Sequence, residues 1–204
     1  LPAFDVKKPV TVFSTHAHQD HYNPEIFALL ASRGAADVSA VLAKDIPSRK
    51  YPENIHVLTV RADMRYTLPM GETVETLRST DSGVAYLVTC DEGVIFHAGD
   101  LNDWTWDGES DADNRQMRGS FRHEIDKLAA RRIDVAFMPL DPRQEEHYAD
   151  GMLYLLKKTE AACVYPMHYW GKGEVLDRFA AEHPEYASRT GNTEAAAQRR
   201  GLQS

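Results

Sequence analysis

Apolar residues in the first half of this chain fall into short runs that turn-forming residues separate. Residues 10–15, between Pro9 and a histidine cluster, are mostly β-branched or apolar, which predicts a short buried strand. Similar runs follow, and the two that flank Asp91-Glu92-Gly93 predict a hairpin. The predicted strands of this half are residues 10–15, 38–42, 56–60, 64–68, 73–77, 84–88 and 94–96.

Helical spacing of apolar residues begins after Asn23 and Pro24, which are typical of a helix start, and Gly34 is typical of a helix end. In the second half of the chain, strands and helices alternate. Residues 102–120 are polar and rich in glycine and aspartate, which predicts a long loop. This order favours a layered α/β or α+β domain with functional loops at the strand ends. The predicted helices are residues 24–32, 121–132, 148–158 and 174–182, and the later strands are residues 134–138 and 162–165.

The length of 204 residues and the hydrophobic content of 43% suit one domain with a sizeable core. We predict that residues 1–184 form this domain. Residues 185–204 lack a bulky apolar pattern and are predicted to be a C-terminal tail. The chain starts without Met and its first strand follows almost at once, so we expect that an upstream piece was removed by processing or truncation or is absent from the given sequence.

The net charge of −8 argues against a broad nucleic-acid-binding surface, which would need a basic face. The sequence contains neither an apolar run of ~18 residues nor a signal-peptide pattern. Cys90 and Cys163 lie in apolar, strand-like sequence and are predicted to be buried free thiols, as in a reducing cytosol. We therefore expect a cytoplasmic protein with a small-molecule substrate and no membrane partner, and leave open whether it forms homo-oligomers.

Three of the nine histidines lie within six positions, in His16-Ala17-His18-Gln19-Asp20-His21, directly after the first strand. A tight loop can direct the alternate side chains His16 and His18 at one ion, and Asp20 and His21 at a second ion. Imidazole nitrogen and carboxylate oxygen suit Zn, Fe, Mn and Co. A loop of purely structural histidines is the alternative, but packing gives little reason for such a cluster at a strand end.

Four residues from one loop cannot complete two metal sites, so further ligands are expected at other strand ends. Asp100 follows the strand at residues 94–96 and could bridge two ions, and Gly99 would permit a sharp turn or a close backbone approach. His168 follows the strand at residues 162–165. His97 either orients a ligand or is an ordinary strand residue.

These motifs, in this order, resemble the metallo-β-lactamase superfamily of metal-dependent hydrolases. Residues 16–21 match its His-x-His-x-Asp-His signature, Gly99-Asp100 matches its bridging-aspartate motif, and Pro166-Met167-His168 matches its final-histidine motif. The resemblance implies an α+β fold, a four-layer αββα sandwich with the metals at one edge of the two sheets. Members of the superfamily usually begin with two or three further strands before the histidine loop, and this chain lacks them. The resemblance therefore implies that an N-terminal segment is missing or exists as a separate piece.

One departure from the family pattern concerns the metal site. The family usually has another histidine between the first motif and the bridging aspartate, where this chain has Ser79-Thr80-Asp81-Ser82-Gly83. Asp81 could replace that histidine as an oxygen ligand, or Ser79 could occupy its place without binding. We expect Zn²⁺ first, as one or two ions, with Mn²⁺ or Fe²⁺ as alternatives that a harder ligand set would favour. The implied ligand set is His16, His18, Asp20, His21, Asp100 and His168, with Asp81 as the substitute.

The resemblance implies a hydrolase in which a metal-activated hydroxide, oriented by Asp20 as the catalytic residue, attacks a small ester, lactone, amide or phosphodiester. Asp141, Arg143 and Trp104 are candidate substrate-binding residues, and Trp106 and Trp170 could also line a pocket. Two alternatives remain open. One is a nuclease or RNA-processing enzyme of the same fold, and the other is a catalytically silent metal-binding protein.

Overall fold

Two β-sheets pack face to face in this computed structural model, which describes residues 4–191. The first sheet has three parallel strands in the order β1-β2-β3. Helix α1 (Glu25–Ser32) connects the first two of them. The strands are β1 (Val10–Ser14), β2 (Val38–Ala43) and β3 (His56–Val60).

The second sheet has six strands that lie side by side in chain order. They are β4 (Arg65–Thr67), β5 (Thr73–Arg78), β6 (Val84–Cys90), β7 (Gly93–His97), β8 (Val135–Pro139) and β9 (Val164–Met167). The pairs from β4 to β7 are antiparallel, whereas β7, β8 and β9 are parallel. Parallel neighbours need crossover connections, and helices α2 (Asp111–Asp126) and α3 (Asp150–Lys158) lie in these crossovers. Helix α4 (Glu174–Glu182) follows β9.

The layers follow from the alternation of side chains along each strand. In β2, Val41 packs in the cluster between the two sheets, and its neighbour Leu42 packs in the cluster with α1. In β6, Tyr86 lies between the sheets, and Leu87 packs with residues of α2 and α3. Each sheet therefore buries both faces, and the predicted αββα order of layers is confirmed.

The predicted loop over residues 102–120 is wrong in its second half, because α2 begins at Asp111. This part of the helix is polar, so it lacks the apolar spacing by which the other helices are recognised. The sequence does contain a start signal, since the N-cap Ser110 accepts a hydrogen bond from the backbone N–H of Asp113 at 3.2 Å.

Most other elements are confirmed within two residues, including the hairpin, in which Cys90 pairs with Gly93. The helix predicted to reach residue 132 ends at Asp126 and continues as turns. The last strand runs two residues further than predicted and includes Pro166. A proline is tolerated there because β9 is the edge strand of its sheet.

Part of the predicted tail, residues 185–204, packs on the domain. The guanidinium of Arg189 donates to the backbone carbonyls of Leu156, Thr159 and Ala161 at 2.7–2.8 Å. Thr190 forms a parallel bridge with Val164 of β9. The packed structure therefore reaches residue 191, beyond the predicted end at 184, and residues 192–204 lie outside the described part.

Two further expectations concern the thiols and the membrane. Cys90 and Cys163 are free thiols, but both are half-buried rather than buried. Among the helices in residues 4–191, none has the length and apolar character that crossing a membrane would require.

Candidate metal centre

The predicted ligands meet where strands of both sheets end. The histidine motif follows β1, Asp100 follows β7, and His168 follows β9, while Asp81 lies in the connection between β5 and β6. The structure thus brings together residues that are up to about 150 positions apart in the chain.

Asp100 lies at the centre of this group and is buried. Its Oδ1 is 3.1 Å from Nε2 of His21 and 3.0 Å from Nε2 of His168. Its Oδ2 is 3.2 Å from Nε2 of His16. One carboxylate therefore faces three imidazole nitrogens, which is the arrangement expected of a bridging ligand.

The candidate ligand atoms form three overlapping groups, and within each group they lie within 4.8 Å of one another. The groups are Asp20, His21 and His168; His18, Asp81 and Asp100; and His16, His21 and Asp100. In addition, Nδ1 of His18 is 3.0 Å from Nε2 of His16. The first group has the members of one predicted position, and the second contains members of the other together with Asp100. The third group joins His16 and His21, which were predicted to lie in different positions.

Asp81, not Ser79, stands beside the ligands at the place of the missing histidine. The Asp81 carboxylate groups with His18 and Asp100, and it lines the same cavity as they do. Ser79 lines a different cavity, and its hydroxyl accepts a hydrogen bond from the backbone N–H of Asp81 at 3.2 Å. Ser79 therefore shapes the turn that presents Asp81.

The buried hydroxyl of Thr15 lies behind two of the histidines, and no motif in the sequence had pointed to this residue as part of the site. Its Oγ1 is 3.1 Å from Nδ1 of His16 and 3.2 Å from Nδ1 of His21. A hydroxyl oxygen has two lone pairs, so Thr15 can accept an Nδ1–H from both rings. Both rings would then present an Nε2 lone pair towards Asp100, which is the tautomer that a metal ligand needs.

Two buried atoms of the centre have no hydrogen-bond partner among the described residues, Oδ1 of Asp100 and Nδ1 of His168. The imidazole nitrogens of His21 and His168 are near Oδ1, yet neither forms a hydrogen bond with it in these orientations. A buried polar group without a partner is costly, and a cation held between Oδ1 and the facing Nε2 atoms would satisfy the Asp100 oxygen. The donor set of imidazoles and carboxylates therefore fits a divalent transition metal.

The charges of the centre follow from burial and from the facing groups. Burial alone would raise the pKa of Asp100, but the imidazoles of His16, His168 and His21 hold it far below its usual range. Burial lowers the pKa of His21, and the carboxylates of Asp100, Asp20 and Asp81 outweigh that effect and raise it. Asp100 is therefore an ionised carboxylate.

His97 supports the turn before Asp100. Burial and the nearby histidines lower the pKa of His97 to about 4, so its ring is neutral at pH 7. Nδ1 of His97 accepts a hydrogen bond from the backbone N–H of Gly99 at 3.0 Å. This contact favours the interpretation that His97 helps to orient Asp100 over the alternative that it is an ordinary strand residue.

Two glycines allow the backbone to come close to the centre. Gly99 has φ +56°, and a Cβ there would lie 2.8 Å from the side chain of Thr15. Gly83 has φ +70°, and a Cβ there would lie 1.9 Å from the backbone oxygen of Thr15. Both positions therefore require glycine for conformation and for space. The close approach predicted at Gly99 is confirmed.

A cavity of about 400 Å³ opens directly over the candidate ligands. Its walls carry Trp104, Trp106 and Trp170, and Arg143 is its only arginine or lysine among residues 4–191. The rest of the lining consists of His18, Asp20, Thr80, Asp81, Asp100, Met117 and His168. The candidate substrate residues Trp104 and Arg143 are thus at the cavity.

Asp141, the third candidate substrate residue, differs from the other two, because its side chain is fully buried and is not part of the cavity wall. Its two oxygens accept hydrogen bonds from the Arg143 guanidinium at 2.5–3.0 Å and from the Trp170 indole at 3.1 Å. The Arg143 contacts hold the pKa of Asp141 below its ordinary value, although burial acts in the opposite direction. Asp141 therefore positions two residues of the wall, Arg143 and Trp170, from behind it.

The loop that carries Trp104 and Trp106 is fixed from beneath by polar contacts. The two indoles stack with centroids 6.0 Å apart, and the Trp104 Nε1–H donates to the backbone carbonyl of Asp100 at 2.8 Å. Gln144 donates to the carbonyls of Asp103 and Thr105 at 2.7 and 3.1 Å. This aromatic wall is therefore held in place before any ligand binds.

Sequence comparison gives no match to a protein-family model, and no curated protein matches the chain. Comparison with solved structures does find neighbours. One is a protein from Parabacteroides distasonis named as a metal-dependent hydrolase, with a TM-score of 0.57 and 17% identity over 91% of this chain and 77% of that one. Another is Igni18, a metallo hydrolase from Ignicoccus hospitalis, with a TM-score of 0.56 and 18% identity over 89% and 74%.

A third neighbour is the metallo-β-lactamase fold protein YhfI from Bacillus subtilis. Its TM-score is 0.54, with 12% identity over 89% of this chain and 73% of that one. The chain therefore has the metallo-β-lactamase fold, and the resemblance predicted from its motifs is confirmed at the level of the fold.

Proposed function

We propose that this protein is a metal-dependent hydrolase of a small ester, lactone, amide or phosphodiester. We further propose two metal positions that share the Asp100 carboxylate. The names of two structural neighbours, a metal-dependent hydrolase and a metallo hydrolase, are consistent with this proposal. The first position would use His16, His18 and Asp81, and the second would use Asp20, His21 and His168.

The observation that carries the proposal is the surroundings of Asp100 Oδ1. Two imidazole nitrogens lie 3.0 and 3.1 Å from this buried oxygen, and a third lies 3.2 Å from the other oxygen of the carboxylate. The carboxylates of Asp20 and Asp81 are grouped with the same histidines. Packing gives little reason for so many imidazoles and carboxylates to converge, and a divalent cation that they share explains it better.

A divalent metal, when bound, would lower the pKa of water and stabilise negative charge that develops on the substrate. The chain's own residues have the other roles. Asp20 has a side chain that is 49% exposed at the cavity wall, and it can hold the proton of an attacking water. The indoles of Trp104 and Trp106 exclude bulk water, and this strengthens electrostatic interactions inside the cavity.

The first test is metal content. Protein purified without chelator should contain one to two equivalents of Zn, Mn or Fe by mass spectrometry, and chelated protein should recover them on reconstitution. A protein that takes up none of these metals would overturn the proposal. The reconstituted forms are then assayed against a panel of nitrophenyl esters, lactones, amides and phosphodiesters.

Variants test the assignment of residues. We expect Asp100→Ala and His168→Ala to lose bound metal and hydrolysis together, and Asp20→Asn to lose hydrolysis with a smaller loss of metal. His56→Ala is the matched control, because His56 is an exposed histidine at the start of β3, outside the centre. If the Asp100 and His168 variants keep wild-type rates and wild-type metal content, these residues are wrongly assigned.

We also propose a cytoplasmic location. Support comes from Cys90 and Cys163, which are free thiols as in a reducing compartment. Fractionation of cells with an antibody against the protein tests this location, and recovery outside the cytoplasmic fraction would contradict it.

A further inference from the structure

Arg143 is arranged as a fixed cation at the cavity wall. Its Nε and Nη2 atoms donate to the buried Asp141 at 2.5–3.0 Å, and its guanidinium lies over the Trp170 ring, 4.5 Å from the centroid. The Arg143 side chain is 50% exposed, whereas that of Asp141 is fully buried. The carboxylate therefore holds one edge of the guanidinium from inside the protein.

The other edge of the guanidinium is free to bind a ligand. Nη1 of Arg143 forms no hydrogen bond with residues 4–191, and Arg143 lines the cavity over the candidate metal centre. A guanidinium presents five donors in a planar fork, which suits the two oxygens of a carboxylate or phosphate. Asp141 uses the Nε edge, so the terminal edge remains for such a group.

The neighbouring wall is apolar, planar and held in place. Trp104 and Trp170 both lie near His168, with ring centroids 6.2 and 5.8 Å from its ring. The Trp170 indole N–H is held by Asp141, and that of Trp104 by the carbonyl of Asp100. Little side-chain freedom would be lost on binding, since these groups are already ordered.

We infer that Arg143 binds an oxyanion group of the substrate, a carboxylate or a phosphate, while the tryptophans contact the apolar part next to it. This inference rests on the proposed hydrolase function and adds its substrate class: acidic esters, lactones, amides or phosphodiesters are preferred over neutral ones. Arg143 is a specificity-determining residue, and Asp141 is the residue that positions it.

The first experiment compares two esters with the same leaving group and chain length, mono-4-nitrophenyl glutarate and 4-nitrophenyl pentanoate, on the Zn²⁺-loaded protein. They differ in a terminal carboxylate. We expect wild-type protein to prefer the glutarate, and Arg143→Gln to reduce the ratio of the two kcat/KM values roughly tenfold or more. Arg143→Lys keeps the charge but loses the planar fork of donors, so its kcat/KM ratio should lie between those of wild type and Arg143→Gln.

Arg178→Gln is the matched control. Arg178 also pairs with a carboxylate, Glu182 at 2.8 Å, and lies 4.1 Å from the centroid of an aromatic ring, that of Tyr148. It does not line the cavity. An unchanged ratio in Arg143→Gln, or an equal fall in Arg178→Gln, would overturn the inference.

The second experiment does not depend on turnover. Calorimetric titration of the Zn²⁺-loaded protein with inorganic phosphate and with glutarate should show weaker binding to Arg143→Gln than to wild type. The anion that binds wild type with the higher affinity identifies whether the site prefers a phosphate or a carboxylate. If no substrate of the ester, lactone, amide and phosphodiester panel is cleaved, the proposed function fails by itself, and the calorimetry still decides the role of Arg143. Equal affinities of wild type and Arg143→Gln for both anions would refute that role.

Discussion

Replacing Thr15 by valine removes one hydroxyl group behind the candidate metal centre and keeps the shape of the side chain. The hydroxyl lies 3.1 and 3.2 Å from Nδ1 of His16 and His21, whose side chains are 0% and 9% exposed. Without it, two buried ring nitrogens lose their partner. A buried polar group without a partner costs about 1–3 kcal/mol, so for two such nitrogens we expect the free energy of unfolding of the metal-free protein to fall by about 2–6 kcal/mol.

Metal binding should also weaken in Thr15→Val. The hydroxyl orients both rings and selects the tautomer with an Nε2 lone pair, and loss of such a supporting contact typically costs roughly 10–100-fold in metal affinity. Urea denaturation of the metal-free protein measures the first effect, and competition with a chelator for Zn²⁺ measures the second.

Thr11→Val separates this effect from the general loss of a hydroxyl in β1. The Thr11 hydroxyl is half-buried and lies 3.1 Å from that of Ser39, away from the centre. We expect this control to lose at most about 1 kcal/mol of stability and to keep its metal affinity. The reasoning is refuted if Thr15→Val binds Zn²⁺ as tightly as Thr11→Val does.

Three further predictions concern the close approach at Gly83, the substitute ligand and the pH dependence of stability. Gly83→Ala should lower the free energy of unfolding by more than the control Gly34→Ala does. Gly34 also has a positive φ (+86°), but a Cβ there would meet no atom within 4 Å, so its replacement should cost about 1–2 kcal/mol. Equal losses of stability in thermal denaturation would show that the contact with Thr15 is unimportant. Asp81→Ala should lower the number or affinity of bound metal ions in a chelator titration, while the group of Asp20, His21 and His168 keeps its ion; unchanged metal content would exclude Asp81 as a ligand. The pKa of Asp141 is lower in the folded protein than its ordinary value, so its contribution to stability is complete above about pH 4 and is lost as the pH falls through the folded pKa. Asp141→Asn should therefore flatten the fall in unfolding free energy below about pH 4, and an unchanged slope in acid denaturation would contradict this.

Much of the architecture could be predicted because its causes are local. Runs of β-branched residues and turn signals predicted every strand to within two residues, because these patterns depend only on neighbouring positions in the chain. The start of α2 was missed because its first turns are polar, and the hydrogen bond that caps it depends on only two residues, Ser110 and Asp113. Apolar residues at helical spacing are a stronger signal than a cap, and the first turns of α2 have none. Burial of later residues of α2, such as the fully buried Phe121, stabilises the helix instead.

The chemical types of the candidate ligands and their order along the chain, the histidine motif, Asp100 and His168, can be read from single residues. Which of their atoms meet, that Asp81 and not Ser79 lies beside them, and that Asp141 is buried behind Arg143 become visible in the folded chain alone. A side chain's chemistry belongs to one residue, whereas convergence and burial arise from contacts between strands distant in the chain. Thr15 illustrates the difference, since a threonine at a strand end is unremarkable in sequence, and it becomes part of the site only when the fold places two imidazoles against its hydroxyl.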